Sequence, residues 1–189
     1  MVTKTSKSEP GKYAALLRGI NVGGKMVKMS DLKAIFEGLG FVDVRTLLNS
    51  GNVLFSLPKK AQAKGLAEKI EKELQKKLNL QIDIIVRPIS EIEKIAALQP
   101  FAKIKTDKNT RLYVTFYASA IRSKSNLKIP YVSPGKEFRI LKITDKEVFS
   151  VLQLSDAFKT PESMAIIEKE FGKKGATTRN WNTVVRLLK

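Results

Sequence analysis

The sequence predicts an α+β fold made of two subdomains packed together. Three observations lead there. Short apolar and β-branched runs alternate with amphipathic stretches at helical spacing. Their order is βαββαβ in the first half and βαββαα in the second, a worn echo without a clear sequence repeat. The 189 residues are 43% hydrophobic and 28% charged, the balance of a globular chain. One unit of this length buries roughly 70% of the surface its unfolded chain exposes, and two separate halves would be more marginal. The halves are therefore expected to pack on each other.

Residues 1–11 are polar and basic with no apolar signal core, and are expected to form a flexible tail. Residues 12–18 are short and apolar and run straight into glycines, as a buried strand does. After the loop 19–25, Ser30 is a good N-cap. Leu32, Ile35, Phe36 and Leu39 then recur at i, i+3, i+4, i+7, and Gly40 is placed to stop the helix. Strands are expected at 42–48 and 53–57, joined by Asn49-Ser50-Gly51-Asn52, whose residues tolerate positive φ. A helix follows at about 61–78 with Leu66, Ala67, Ile70, Leu74 and Leu78 on one stripe. Residues 82–87 form a strand stopped by Pro88, and 90–98 a shorter helix. The order through Arg87 is the ferredoxin-like pattern, giving a first subdomain at 12–99.

Residues 100–109 are polar and are expected to connect the halves. The second α+β subdomain, 110–189, is expected to be a degenerate ferredoxin-like unit. It opens with a strand at 111–117, and 119–136 supports at most a weak helix. Residues 137–143 and 147–154 form a hairpin around Thr144-Asp145-Lys146. Thr160 as N-cap and Pro161 at the first helical position open a helix ending at Gly172. The last helix is expected to start near Thr178, with Trp181, Val184, Val185 and Leu188 on its apolar face.

Composition excludes several chemistries. The chain has no histidine and no cysteine. That removes disulfides, thiol nucleophiles, imidazole bases and cysteine-ligated metals. No cofactor and no metal are expected, and no catalytic residue can be named. No apolar run approaches the roughly 20 residues of a membrane span, so a cytoplasmic protein without membrane contact is expected. Thirty-five Lys and Arg against 18 Asp and Glu give a net charge of +17. The bland reading is a solvated lysine-rich surface; the sharper one is attraction to a polyanion.

Topology focuses the search for a site. A βαββαβ sheet usually has the antiparallel order 4-1-3-2, so the loop after strand one and the hairpin after strand two share an edge. Arg18, Asn21, Gly23, Gly24, Lys25, Asn49, Ser50 and Asn52 are expected to gather there. Open glycine amides, amide side chains and fixed positive charge suit an anion. The alternative is that these residues only turn the chain. Gly19-x-x-x-x-Gly24-Lys25 imitates a phosphate loop, but Met26 stands where Ser or Thr would hold magnesium. Arg111-Leu-Tyr-Val-Thr-Phe-Tyr117 has the aromatic alternation of an RNA-recognition strand without its glycine. Core packing is its cheaper explanation. Arg179 and Asn180 are expected in the first turn of the last helix, where free N–H groups favour an anion.

Residues 13–25 (Tyr-Ala-Ala-Leu-Leu-Arg-Gly-Ile-Asn-Val-Gly-Gly-Lys), Met29-Ser-Asp-Leu32, residues 40–46, residues 49–55 and the closing 178–188 resemble a bacterial family, domain of unknown function 1697 (DUF1697). The resemblance spans nearly the whole chain. It implies a two-part α+β protein on ferredoxin-like subdomains and brings no activity with it. Its signature residues fall at Arg18, Gly19, Asn21, Gly23, Gly24, Lys25, Ser50, Gly51, Asn52, Arg179, Asn180 and Trp181. Two segments depart from the family pattern, Leu47-Leu48-Asn49 and residues 156–160.

Three functions are compatible with these residues. The first is a non-catalytic binder of an anionic ligand or nucleic acid through the basic, Gly/Asn-rich loop edge. The second is an enzyme or sensor for a small phosphorylated or carboxylated metabolite, with Arg18, Lys25 and Arg179 fixing the anion and Asn21, Asn49 and Asn52 orienting it. The third is a protein-interaction module.

Overall fold

The structure is a computed structural model that describes residues 11–21, 26–48, 51–58, 63–121 and 127–189. Residues 1–10 of the expected tail and the start of the expected helix at 61–62 lie outside them, while Gly11 O accepts from Leu57 N at 3.1 Å. The fold is mixed α+β, with two antiparallel sheets and five helices among the described residues. The chain divides into two compact units, Met1–Ser90 and Glu91–Lys189.

The first unit runs β1 (Lys12–Leu17), α1 (Met29–Gly38), β2 (Val42–Leu47), β3 (Asn52–Ser56), α2 (Leu66–Leu78), β4 (Ile84–Pro88). The sheet order is β2-β3-β1-β4, the one the sequence pattern implies. Alternation along β1 turns Ala15 and Leu17 into a core shared with Leu32 and Phe36 of α1 and Ile70 and Leu74 of α2. Phe55 is its hub, stacked on Phe41 at 4.5 Å and edge-on to Phe36 at 5.5 Å.

Gly40 ends α1 as expected, at φ +81° with its N–H on Glu37 O at 2.9 Å. Ser30 does not cap it. The helix begins at Met29, and the Lys28 carbonyl accepts from both Asp31 N and Leu32 N at 3.1 Å. The Ser30 hydroxyl turns instead to the Asp31 carboxylate at 3.3 Å. In β2 the register slips between Val42 and Arg45, and Asp43 takes φ +54° within that bulge.

The α3 helix (Ile89–Ala97) begins at the end of the first unit. The second unit continues with β5 (Thr110–Tyr117), β6 (Tyr131–Val132), β7 (Phe138–Ile143), β8 (Glu147–Gln153), α4 (Thr160–Phe171), β9 (Ala176–Asn180) and α5 (Trp181–Arg186). The expected βαββαα is therefore corrected. Residues 131–132 are an edge strand, and the onset assigned to the last helix is strand β9. The sheet order is β6-β7-β8-β5-β9. Threonines explain β9: Thr178 lies opposite Thr115 on β5 and their hydroxyls bond at 2.8 Å. The helix starts only at Trp181. Residues 122–126, inside the expected weak helix, lie outside the described residues. The α4 helix starts with Lys159 as its cap residue, one position before the expected Thr160.

A polar knot fastens the entry to β5. The Asp107 carboxylate accepts from the Thr110 hydroxyl and the Asn109 and Thr110 amides, each at 2.8 Å, and from Gln153 Nε2 at 3.0 and 3.1 Å. The Thr110 hydroxyl and then Gln153 hold its pKa at about 2, below the ordinary 3.8. A folded value below the unfolded one contributes stability in full above the unfolded pKa, and this is lost as pH falls through about 2. A carboxyl-carbon NMR titration is expected to place the Asp107 midpoint near 2, and Thr110→Val to move it up toward 3.8.

Candidate functional site

The β1 strand is antiparallel to both β3 and β4, so its C-terminal end lies beside the starts of both. Leu16 pairs with Asn52, and Leu17 N donates to Gly51 O at 2.8 Å. On the other side Leu17 pairs with Ile84, and Arg18 N donates to Asp83 O at 2.9 Å. The loop leaving β1 thus emerges between two strand starts. Gly51 has φ +69°, and a Cβ there would stand 2.7 Å from Ile20 Cγ1 and 3.0 Å from Leu17 Cβ. Only glycine meets both conditions. Ile20 is buried over it.

The expected asparagines are present at this edge, but their side chains serve the backbone. Asn21, at φ +56°, accepts from Val27 N at 2.7 Å and donates to Val27 O at 3.2 Å. Asn52 is fully buried and donates to Leu47 O at 3.2 Å, closing the β2–β3 turn. Gly23, Gly24, Lys25, Asn49 and Ser50 lie outside the described residues.

Arg179 and Asn180 belong to the second unit. Arg179 is not on a helical turn: it sits in β9 opposite Val114, and alternation buries it with Thr177. Its Nη1 donates to the Thr177 hydroxyl at 2.7 Å and to Thr178 O at 2.9 Å. Burial pulls its pKa down to about 10. Asn180 is the N-cap of α5 and accepts from Asn182 N at 2.9 Å. Trp181 packs edge-on against Phe101 at 5.3 Å, as a core residue would.

The two motifs that imitate nucleotide and RNA sites lack the surroundings of such sites. No helix opens directly after Gly19, since α1 begins at Met29, and the sheet is antiparallel. Tyr117 of β5 is buried and donates to Gly172 O at 3.2 Å, while the Tyr113 hydroxyl pairs with Thr160 Oγ1 at 3.2 Å. These rings pack beside α4 rather than offering a stacking platform.

A cleft of about 700 Å³ opens beside Arg18 and Gly19. Its second wall is α2, with Glu71, Lys72 and Gln75, and its third is Gln81, Ile82 and Asp83 at the start of β4. Glu71 anchors the helix to the strand by accepting from Ile84 N at 2.8 Å. Gln75 Nε2 donates to Asn79 Oδ1 at 3.0 Å, whereas its Oε1 is buried with no hydrogen-bond partner. Among the described residues, Lys72 and the Asp83 carboxylate also have no polar partner. Sequence reasoning found Arg18 and missed this other wall. The signal was available: the order that puts β3 on one side of β1 puts β4 on the other. Among the described residues no cluster of His, Cys, Asp and Glu could hold a metal ion, and no helix is long and apolar enough to cross a membrane.

The profile of a family described as "Protein of unknown function (DUF1697)" matches residues 11–149. A solved structure of a conserved bacterial protein, SP0830 from Streptococcus pneumoniae, superposes with a TM-score of 0.69 at 22% identity, covering 96% of this chain and 100% of that one. At that identity the likeness speaks for the fold alone. No curated protein matches the sequence.

Two substitutions test this geometry. Gly51→Ala is expected to destabilise by about 2 kcal/mol or more, from positive φ and overlap with Ile20 together, read by urea denaturation. Asn180→Ala is expected to cost about 1 kcal/mol by the same measurement, through loss of the α5 cap.

Proposed function

The chain belongs to the DUF1697 family, and on that premise we propose that it is a non-catalytic binder of an anionic ligand at the loop edge headed by Arg18. One observation carries the reading. The backbone of Arg18 is tied to Asp83 O, and Arg18 lines a concave site together with Lys72. Two cations in one cleft form a recognition element for a carboxylate or phosphate. The glycines and lysine of the adjoining signature, Gly23, Gly24 and Lys25, would add amide donors and charge to that edge. Asn21 and Asn52 enter the reading as the bonds that shape the loops. A ferredoxin-like first unit agrees with this reading, because its β2-β3-β1-β4 order puts both loops and the β4 start at one edge.

A small anion fits better than a nucleic acid. The cleft also carries Glu71 and Asp83, and a polyanion following it would meet both carboxylates. Calorimetric titration with inorganic pyrophosphate is expected to show saturable binding, weakened about tenfold or more by Arg18→Gln. Undiminished binding by that variant, or tighter binding of single-stranded RNA with the steep salt dependence of a polyanion, would overturn the reading.

A further inference from the structure

We infer that the cleft beside Arg18 selects a small molecule bearing both an acidic group and an ammonium group, of the α-amino-acid class. This rests on the anion-binding reading above and narrows it. The walls carry both signs. Arg18 and Lys72 offer positive charge, and Glu71 and Asp83 offer negative charge. A site built for a bare anion gains nothing from two carboxylates, which would repel it. The carboxylates are not fully used by the protein. Only Glu71 Oε1 is engaged, on Ile84 N, and the Asp83 carboxylate has no partner among the described residues.

An ammonium group has three donors. It can serve the Glu71 and Asp83 carboxylates while the acid group faces Arg18 and Lys72. The volume, about 700 Å³, lies within the size range of small-molecule sites.

The test uses the ¹⁵N-labelled full chain. The probes are each of the twenty amino acids, acetate and inorganic phosphate, titrated separately and followed by amide NMR. At least one amino acid is expected to bind saturably, with shifts at Gly19, Gln75, Gln81 and Asp83. Acetate and phosphate are expected to bind at least tenfold more weakly. Arg18→Gln should weaken all three kinds of probe. Asp83→Asn, an exposed change that leaves the fold intact, should weaken the amino acid about tenfold and leave phosphate unchanged or tighter. Phosphate or acetate binding at the cleft as tightly as every amino acid would overturn this inference and leave the anion-binding reading standing. No shift at these residues with any probe would overturn both.

Discussion

Leu17 and Ile20 close on Gly51, and the loop edge of the first unit depends on that approach. The backbone bond from Leu17 to Gly51 fixes the height at which the chain leaves β1. The side chain of Ile20 then occupies the space that any Cβ at Gly51 would claim. A larger residue would push the two loops apart, and a residue unable to reach φ +69° would unwind the turn that carries it. With the loops held together, the N–H of Arg18 is taken by Asp83 on the opposite side, and Arg18 lines the cleft.

Net charge is a poor guide to what a ligand would meet in this molecule. The chain carries +17, yet the cleft combines two cations with two carboxylates. Arg179 is buried, with its guanidinium on Thr177 and Thr178 and its pKa lowered by burial. Long-range charge governs how an anion approaches, and the lining decides what stays.

The first unit was legible because its periods are long and its punctuation is chemical. The apolar stripe of α1, the stop at Gly40 and the glycine-bearing turn at Gly51 each admit one reading. The second unit was harder for reasons that are local. Residues 176–180 are too short to show a strand period, and they run directly into a real helix, so Thr178 and Arg179 were absorbed into it. Two residues cannot announce β6. In the candidate site the residue types were read well and their duties were not. Asparagine suits both ligands and turns, and at Asn21, Asn52 and Asn180 the backbone supplies a nearer partner than any ligand could. The α2 wall of the cleft was missed because Glu71, Lys72 and Gln75 read as the solvated side of an ordinary amphipathic helix.

The paired bonds between Asn21 and Val27 have a consequence for how this chain can change. A single amide side chain grips both polar groups of one backbone residue and so stitches the two ends of a short excursion together. The strand before the stitch and the helix after it are insulated from whatever letters lie between. Substitutions, and even changes in length, within that excursion leave the register of the sheet in place, because lengthening an already closed loop adds little entropic penalty. Sequence can therefore diversify at the stitched segment without endangering the scaffold.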